Sequence, residues 1–591
     1  MVAAITVAAT TVALTAGFGL LEASAVAAAT AEASGTWGLA RSLPGLGAFS
    51  AVLAVSCPAS GYCEAAGIYK PSQGGSAPFV VSERNGVWGT PQAIPGLAAL
   101  NVGLLADVAG LSCATPGNCA VSGSYADASF HSRAFVADEH AGTWGQAIQV
   151  PGTAALDTGH YATSTALSCS APGDCAMSGQ YFDGGEVTRV FVADEVNGTW
   201  HDAIELPGTL ILGDAQADTL SCAAPGECVV GGGYGAVSHD QAYVASEVNG
   251  TWHDAIELPG TAVLNAGDDA VVSTVSCPAP GTCTAAGTYT DQASNQQAFV
   301  ASEVNGTWQD AIELPGTATL NAGGNTYLQS VSCPAPGTCA AGGSYLDAGG
   351  HEQAFVASEV NGTWQDAIEV PGTAALNVGE NAIVESVSCS APGTCAAGGG
   401  YSSAPKFGQA FVASEVNGTW QDAITVPGTA ALNAGGGAVV VALSCAPGGT
   451  CAAGGLYGYQ PNKPRAFVAS QTQAGGTATS LRLSARTTRA GHEHTERLTV
   501  TVSPGTPYGL AIVTAIAGPG RSARLCLITV RAGTGTCHLT NSALPAGTYQ
   551  VTARFLGGNT LTPSASPAQT LHVEAAHGHP SSRSGTAVFR R

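Results

Sequence analysis

Residues 275–323 read VSCPAPGTCTAAGTYTDQASNQQAFVASEVNGTWQDAIELPGTATLNAG, and near-copies of this stretch recur along most of the 591-residue chain. The cysteine pair that marks each copy stands at Cys57/Cys63, Cys113/Cys119, Cys169/Cys175, Cys222/Cys228, Cys277/Cys283, Cys333/Cys339, Cys389/Cys395 and Cys445/Cys451. The first cysteines of successive pairs are 56, 56, 53, 55, 56, 56 and 56 residues apart. A fixed period of this size signals a propeller, a solenoid or an array. It also argues against an enzyme, because a catalytic centre needs different residues in different places.

Within the quoted unit four short strands are expected: 271–277, 283–289, 297–304 and 307–314. All are rich in Val, Thr and aromatics and are bounded by Gly or Pro. The first is expected to end at Cys277 and the second to start at Cys283, with the loop between them clamped by a disulfide. Asn305-Gly306 separates the last two strands by two residues. That dipeptide adopts the positive φ angles of a type I′ turn and predicts a tight hairpin. The turn recurs at Asn197-Gly198, Asn249-Gly250, Asn361-Gly362 and Asn417-Gly418. Four antiparallel strands repeated eight times predict an all-β, eight-bladed propeller, with a linear β-solenoid as the other reading. The two ends of the series favour closure. Gly35-Thr36-Trp37 is a fourth strand without a preceding three, and the last copy stops after Phe467-Val468-Ala469-Ser470 without one. Residues 35–43 are therefore expected to complete the eighth blade, whereas an open solenoid would need caps.

In such a meander alternate connections fall on opposite faces. The Cys-to-Cys loop and the Asn-Gly turn, nearly invariant among the copies, share one face. The loop after the second strand and the link between blades share the other. There the copies diverge, as in TDQASNQQ, LDAGGHEQ and SSAPKFGQ. Loops on a rigid scaffold are where binding residues concentrate, so the variable face is the candidate binding face.

The chain opens on an apolar stretch, residues 2–21, followed by Ala23-Ser24-Ala25, and no Lys or Arg precedes Arg41. A secretory signal and leader over 1–34 is expected, with an N-terminal membrane anchor as the alternative. All 18 cysteines fall into nine local pairs, the ninth being Cys526/Cys537. In an exported chain these read as disulfides. The C-x5-C spacing and the absence of a recurring histidine argue against zinc. The net charge of −22 is unevenly placed, since residues 471–591 hold eleven Arg, no Lys, no Asp and only three Glu. The acidic remainder excludes a nucleic-acid partner, whose binding rests on phosphate neutralisation. The basic part is suited to an anionic cell-envelope polymer.

The domains expected are thus a propeller over 35–471, a linker at 472–477, a β-sandwich over 478–574 and a disordered tail from 575 to 591. The sandwich is read from alternating strands and Gly/Pro turns. The stretch 544–567, LPAGTYQVTARFLGGNTLTPSASP, resembles the closing strands of bacterial immunoglobulin-like domains. That resemblance implies a spacer or adhesive stalk.

The hairpin Ser302–Trp308 resembles the Asp-box hairpin of sialidase-like propellers, one residue shorter and with Asn in place of Asp. The box is structural in those families, so it implies fold and not activity. The VSC…C…A-G…Y pattern over roughly residues 35–470 also looks like repeats of secreted actinobacterial proteins. Sialidase-like enzymes use an arginine cluster, a Tyr/Glu pair and an acidic Asp. The repeats here hold only Arg41, Arg84, Arg133, Arg189 and Arg465. Three of these, Arg133, Arg189 and Arg465, share one repeat position on different blades and do not converge.

A Tyr-x-Asp motif follows the second strand at Tyr125/Asp127, Tyr181/Asp183, Tyr289/Asp291 and Tyr345/Asp347. An aromatic beside a carboxylate suits sugar stacking or calcium, and these eight residues are the candidate ligand-binding set. The competing reading packs the Tyr in the blade and uses the Asp to cap a turn. Asp268-Asp269 and Asp214/Asp218 offer oxygen ligands, but no calcium-loop spacing supports them, so no cofactor is expected. The recurring Trp reads as blade core. The function expected is non-enzymatic binding or adhesion, outside the cell or on its surface, by a monomer whose partner is a glycan or an extracellular protein. A glycan hydrolase and a structural spacer are the alternatives.

Overall fold

The computed structural model describes residues 36–575, apart from short internal stretches of which the longest is 556–563. The expected leader, most of the linker and nearly all of the tail lie outside the described residues.

Eight antiparallel five-stranded sheets account for the repeats. Counting in chain order from Ser50, the fifth is built from Ala270–Ala279, Thr282–Thr290, Gln296–Val304, Thr307–Trp308 and Ile312–Glu313. Asn305 and Gly306 have φ of 52° and 75°, the angles a type I′ hairpin requires. Gly287 faces a bulge between Val272 and Thr274 of the first strand. A Cβ there would lie 1.9 Å from the Val271 carbonyl oxygen, so only glycine fits.

The fourth strand departs from expectation. It is two two-residue pieces that both pair with the third strand, at Glu303/Val304 and at Phe299/Val300. The physical reason is a competing partner, since the Ala311 N–H between the pieces donates to the Pro259 carbonyl of the preceding link (2.7 Å). Each link carries a feature the repeat pattern does not reveal, a left-handed glycine leading into one helical turn. Gly316 (φ 83°) precedes Thr317–Leu320, and the Thr317 hydroxyl donates to the Leu314 carbonyl (2.6 Å).

The core lies between sheets. Phe299, Ala301, Trp308 and Cys283 of the fifth sheet pack on Ala242, Val244 and Leu258 of the fourth. Each sheet is also tied to the next by one repeated bond. The Ser56 hydroxyl accepts the Cys113 N–H (3.0 Å), Ser276 accepts Cys333 (2.9 Å), and the pattern holds at every step. It also holds from the last sheet back to the first, where Ser444 accepts the Cys57 N–H (3.0 Å). Ala466 and Val468 of the eighth sheet share a core with Val52, Phe79 and Val81 of the first. The N-terminal segment supplies the strand the last copy lacks, Thr36–Trp37 and Arg41–Ser42 pairing with Arg465–Thr472. The series of sheets closes on itself.

All nine cysteine pairs are disulfides: Cys57–Cys63, Cys113–Cys119, Cys169–Cys175, Cys222–Cys228, Cys277–Cys283, Cys333–Cys339, Cys389–Cys395, Cys445–Cys451 and Cys526–Cys537. This number points to an extracellular or oxidising environment. Their place in the hairpin corrects the expectation of a clamped loop. In the first seven sheets the cysteines do not end the strands. The ladder runs past them to Ala279 and Thr282 in the fifth sheet, and to Ala59 and Tyr62 in the first. The reason is the turn, a two-residue Pro280-Gly281 with Gly281 at φ 63°, which closes the hairpin tightly enough to keep pairing. The eighth sheet alone has strands bounded by its cysteines, Ala438–Cys445 and Cys451–Tyr457. Cys63, Cys119, Cys175, Cys339 and Cys395 are thus second-strand residues and not loop ends. All five are buried and pack in the cores between sheets. These bridges are cross-strand struts whose second cysteines lie within the core.

No helix among the described residues is long and apolar enough to cross a membrane.

The C-terminal residues form a three-stranded sheet (Ala478–Leu483, Arg497–Ser503, Thr534–His538) and a six-stranded one. Leu498, Val500, Val513, Val551, Phe555 and Leu571 fill the space between them. Cys526–Cys537 joins a strand of the larger sheet to one of the smaller.

Candidate functional site: the variable-loop face

The two faces of the ring are sorted as the meander requires. In the fifth sheet the Gly306 N–H of the Asn-Gly turn donates to the Gly281 carbonyl of the first hairpin turn (2.8 Å), and the same bond recurs at Gly362/Gly337 (2.8 Å). The invariant turns thus lock one another. On the opposite face the variable loop bonds to the links on either side of it. Gly267 N–H donates to Thr290 O (2.9 Å), and Gln296 N–H to Gly324 O (3.1 Å).

The four Tyr-x-Asp pairs stay in four separate sheets. Tyr125, Tyr181, Tyr289 and Tyr345 are all buried. The Tyr289 hydroxyl donates to Glu313 Oε2 (3.2 Å) and that of Tyr125 to Gln149 Oε1 (3.4 Å). Asp127 accepts the Ser129 and His131 amides (2.8 and 3.1 Å) and Arg133 Nε (3.1 Å). Asp183, Asp291 and Asp347 accept the equivalent amides, together with Arg189, Gln297 and Gln353 respectively. Burial pulls Asp127 upward, but the His131 and Ser129 amides and Arg133 outweigh it and hold the carboxyl below its ordinary value. The Gly185 and Val187 amides do the same for Asp183. Each carboxylate thereby fixes the shape of a loop whose tip projects from the ring.

What those tips carry differs around the ring. In the second sheet the tip is Phe130, 73% exposed and held at φ 62°, where the fifth and sixth sheets place Ser294 and Gly350. Next to it His131 stacks on His160 of the following link (centroids 4.4 Å apart, 12° between planes). His160 also has a positive φ, 64°, where later links carry Asp268, Gly324 and Glu380. Tyr161, 37% exposed, stacks on Phe182 (4.4 Å, 22°). The link before the second sheet adds exposed Val102, Leu104 and Leu105. The positive φ is shared by the equivalent turns of other copies (Ser294 63°, Asp268 64°, Glu380 64°), so what sets Phe130 and His160 apart is the ring placed there. The loop tips and link turns of the variable face are aromatic or apolar at Phe130, His160 and Leu104. They are polar, acidic or glycine at Ser294, Gly350, Asp268, Gly324 and Glu380, although Val378 and Tyr327 are exposed on the later sheets too. Comparing His160-Tyr161 with Asp268-Asp269 copy by copy would show this from the sequence.

The opposite face hides a set of acids that the repeat pattern does not single out. Glu83, Glu139, Glu195, Glu247, Glu303, Glu359 and Glu415 occupy one position in the third strands and are each at most 4% exposed. Five of them sit directly across the ladder from a disulfide cysteine: Glu83 from Cys63, Glu139 from Cys119, Glu195 from Cys175, Glu359 from Cys339 and Glu415 from Cys395. Residues opposite one another share a side of the sheet, so each acid lies on the same buried side as its bridge. Alternation along QAFVASEV likewise places Phe299, Ala301 and Glu303 on one side of the strand, so each Glu points at the preceding sheet. Burial raises all seven, Glu139 and Glu195 to about 7 and Glu247 to about 8. Arg84 reaches Glu139 (3.2 Å), and Ser358 donates to Glu415 (2.8 Å). A cleft of about 510 Å³ between the fourth and fifth sheets is lined by Glu227, His253, Glu303 and Trp308.

No family model and no curated protein matches the chain. Solved structures that it resembles include a protein of unknown function from Dyadobacter fermentans (12% identity, 56% of this chain and 98% of that chain, TM-score 0.34). A neuraminidase-like protein of A/flat-faced bat/Peru is similar at 8% identity (75% and 95% of the chains, TM-score 0.33). A puromycin-hydrolyzing peptidase of Mycobacterium tuberculosis is similar at 12% identity (66% and 55%, TM-score 0.31).

Proposed function

We propose that the eight sheets are the blades of a closed β-propeller and that the protein is an exported, non-enzymatic binding module. Its ligand is a glycan, taken on the aromatic part of the variable face around Phe130, His131, His160, Tyr161 and Phe182. The observation that carries this reading is the exposed aromatic stack, placed on loops that depart from the other copies there. Aromatic rings pack on the apolar faces of sugar rings while nearby polar groups accept and donate hydrogen bonds. A non-enzymatic role is supported by the arginines. Arg84 is paired with Glu64 and Glu139 on the far face, while Arg133 and Arg189 are tied into their own loop turns.

We read residues 478–574 as an immunoglobulin-like spacer. Tyr549, early in its strand, donates to the Pro545 carbonyl four residues upstream (2.7 Å), the corner expected of such sandwiches. Its arginine-rich surface would hold anionic envelope polymers, in a manner weakened by salt.

The test is co-sedimentation of the oxidised mature protein with insoluble cell walls and polysaccharides, with released sugar assayed in the supernatant. Retention without release at a salt concentration that screens the C-terminal arginines, lost in Phe130→Ala/Tyr161→Ala, is the expected result. Release of sugar would make the protein a hydrolase, and absence of retention on every polymer would leave it a spacer.

A further inference from the structure

The buried glutamates differ in what they face. Arg84 ends the third strand of the first sheet and lies 2.8 Å from Glu64 and 3.2 Å from Glu139, supplying a cation at the junction of the first and second sheets. At the next junction His140 takes the place of Arg84, and Asp138 takes the place of Ser82. Being two residues apart on one strand, Asp138 and His140 share the side that faces the third sheet. Glu195 looks back at them from that sheet. The donor atoms of the three residues all lie within 4.8 Å of one another. Glu195 is 3% exposed, and its Oε1 has no hydrogen-bond partner among the described residues. Two carboxylates thus share a mostly buried junction with no Lys or Arg in the place Arg84 fills one junction earlier. An unpaired buried carboxylate is costly.

We propose that Asp138, His140 and Glu195 bind a divalent transition metal of the zinc class, which clips the second sheet to the third. One imidazole and two carboxylates suit zinc and its neighbours, whereas calcium and magnesium prefer oxygen donors alone. Tetrahedral coordination brings donors to about 3.3 Å apart, so donor atoms lying within 4.8 Å of one another close by at most about 1.5 Å on binding. Trp200 Nε1–H donates to both Asp138 oxygens (3.2 and 3.0 Å) and orients that carboxylate, as hydrogen-bond donors behind metal ligands do. With three protein donors and His140 at the exposed rim, a fourth position is left for water or an external ligand.

The experiment uses the full mature chain with its disulfides intact, stripped by chelator and titrated with Co²⁺ and Zn²⁺. Expected are the visible d–d bands of one cobalt bound per chain and a rise in Tm with zinc. His140→Val and Asp138→Ser install residues that other copies already carry at these positions, Val248 and Ser246 for example, and circular dichroism checks that both fold. Each should weaken metal binding by at least the roughly 10–100-fold seen when a group that merely supports a ligand is changed. Glu359→Gln, at a junction with Val304 in the place of His140, should leave it unchanged. Absence of stoichiometric binding by the wild type, or binding that survives both His140→Val and Asp138→Ser, would overturn the proposal.

Discussion

Replacing Glu247 by Gln should make the protein more stable, and by an amount that grows with pH. Glu247 is 4% exposed in the third strand of the fourth sheet. Burial, followed by the Asp194 and Glu227 carboxylates, lifts it from an ordinary 4.5 to about 8. The folded chain therefore holds this proton more tightly than the unfolded chain. The stability it contributes is complete below pH 4.5 and is lost as pH rises through about 8. At about 1.4 kcal/mol per pH unit of difference, the loss is on the order of 3 kcal/mol at pH 7. Glutamine keeps the shape and cannot ionise. The fold already accepts it, since the eighth sheet carries Gln471 at this position, accepting the Cys451 N–H (3.1 Å). Calorimetry of both proteins in chelator should give matching Tm values near pH 4.5 and a higher value for Glu247→Gln near pH 8. A Tm difference that does not change with pH, or a variant less stable at the higher pH, would refute the reasoning.

Two further outcomes concern the frame. Cys333→Ser/Cys339→Ser opens a loop of sequence separation 6 and should cost about 2 kcal/mol by loop entropy, read as a shift in the urea midpoint, without unfolding the chain. Ser444→Ala and Ser276→Ala each remove the acceptor for one inter-sheet N–H. Both should lower stability by about 1 kcal/mol. A silent Ser444→Ala beside a destabilising Ser276→Ala would mean that the ring is not closed between the eighth and first sheets.

Much of this frame was legible in the residues. The Cys spacing gave the period, Asn-Gly gave a turn whose geometry is local, and the unmatched Trp37 strand predicted its pairing with Arg465–Thr472. These features depend on neighbours in sequence or on a count of strands. What escaped depends on neighbours in space. The break in the fourth strand follows from the Ala311 N–H bonding to another sheet's link, which no window around Ala311 contains. The cysteine pairing was plain from spacing, but not that Cys339 and Cys395 lie inside strands and face a neighbouring sheet. Glu303 sits beside a turn signal, and nothing near it in sequence shows that it is buried. The Tyr-x-Asp pairs were visible as a motif, yet their roles hang on contacts to Glu313 and to the loop amides. The aromatic tips stood in the sequence throughout. The shared face followed from the meander, but the contacts that gather these rings, His131 on His160 and Tyr161 on Phe182, did not.

The most direct test of the account is oxidative footprinting of the protein bound to the polymer that retains it. Protection of Phe130, Tyr161 and the neighbouring histidines, with the Asn-Gly turns and Trp308 reacting as in the free protein, is the predicted result. Protection centred on the Asn-Gly face, or spread evenly over both faces, would contradict it.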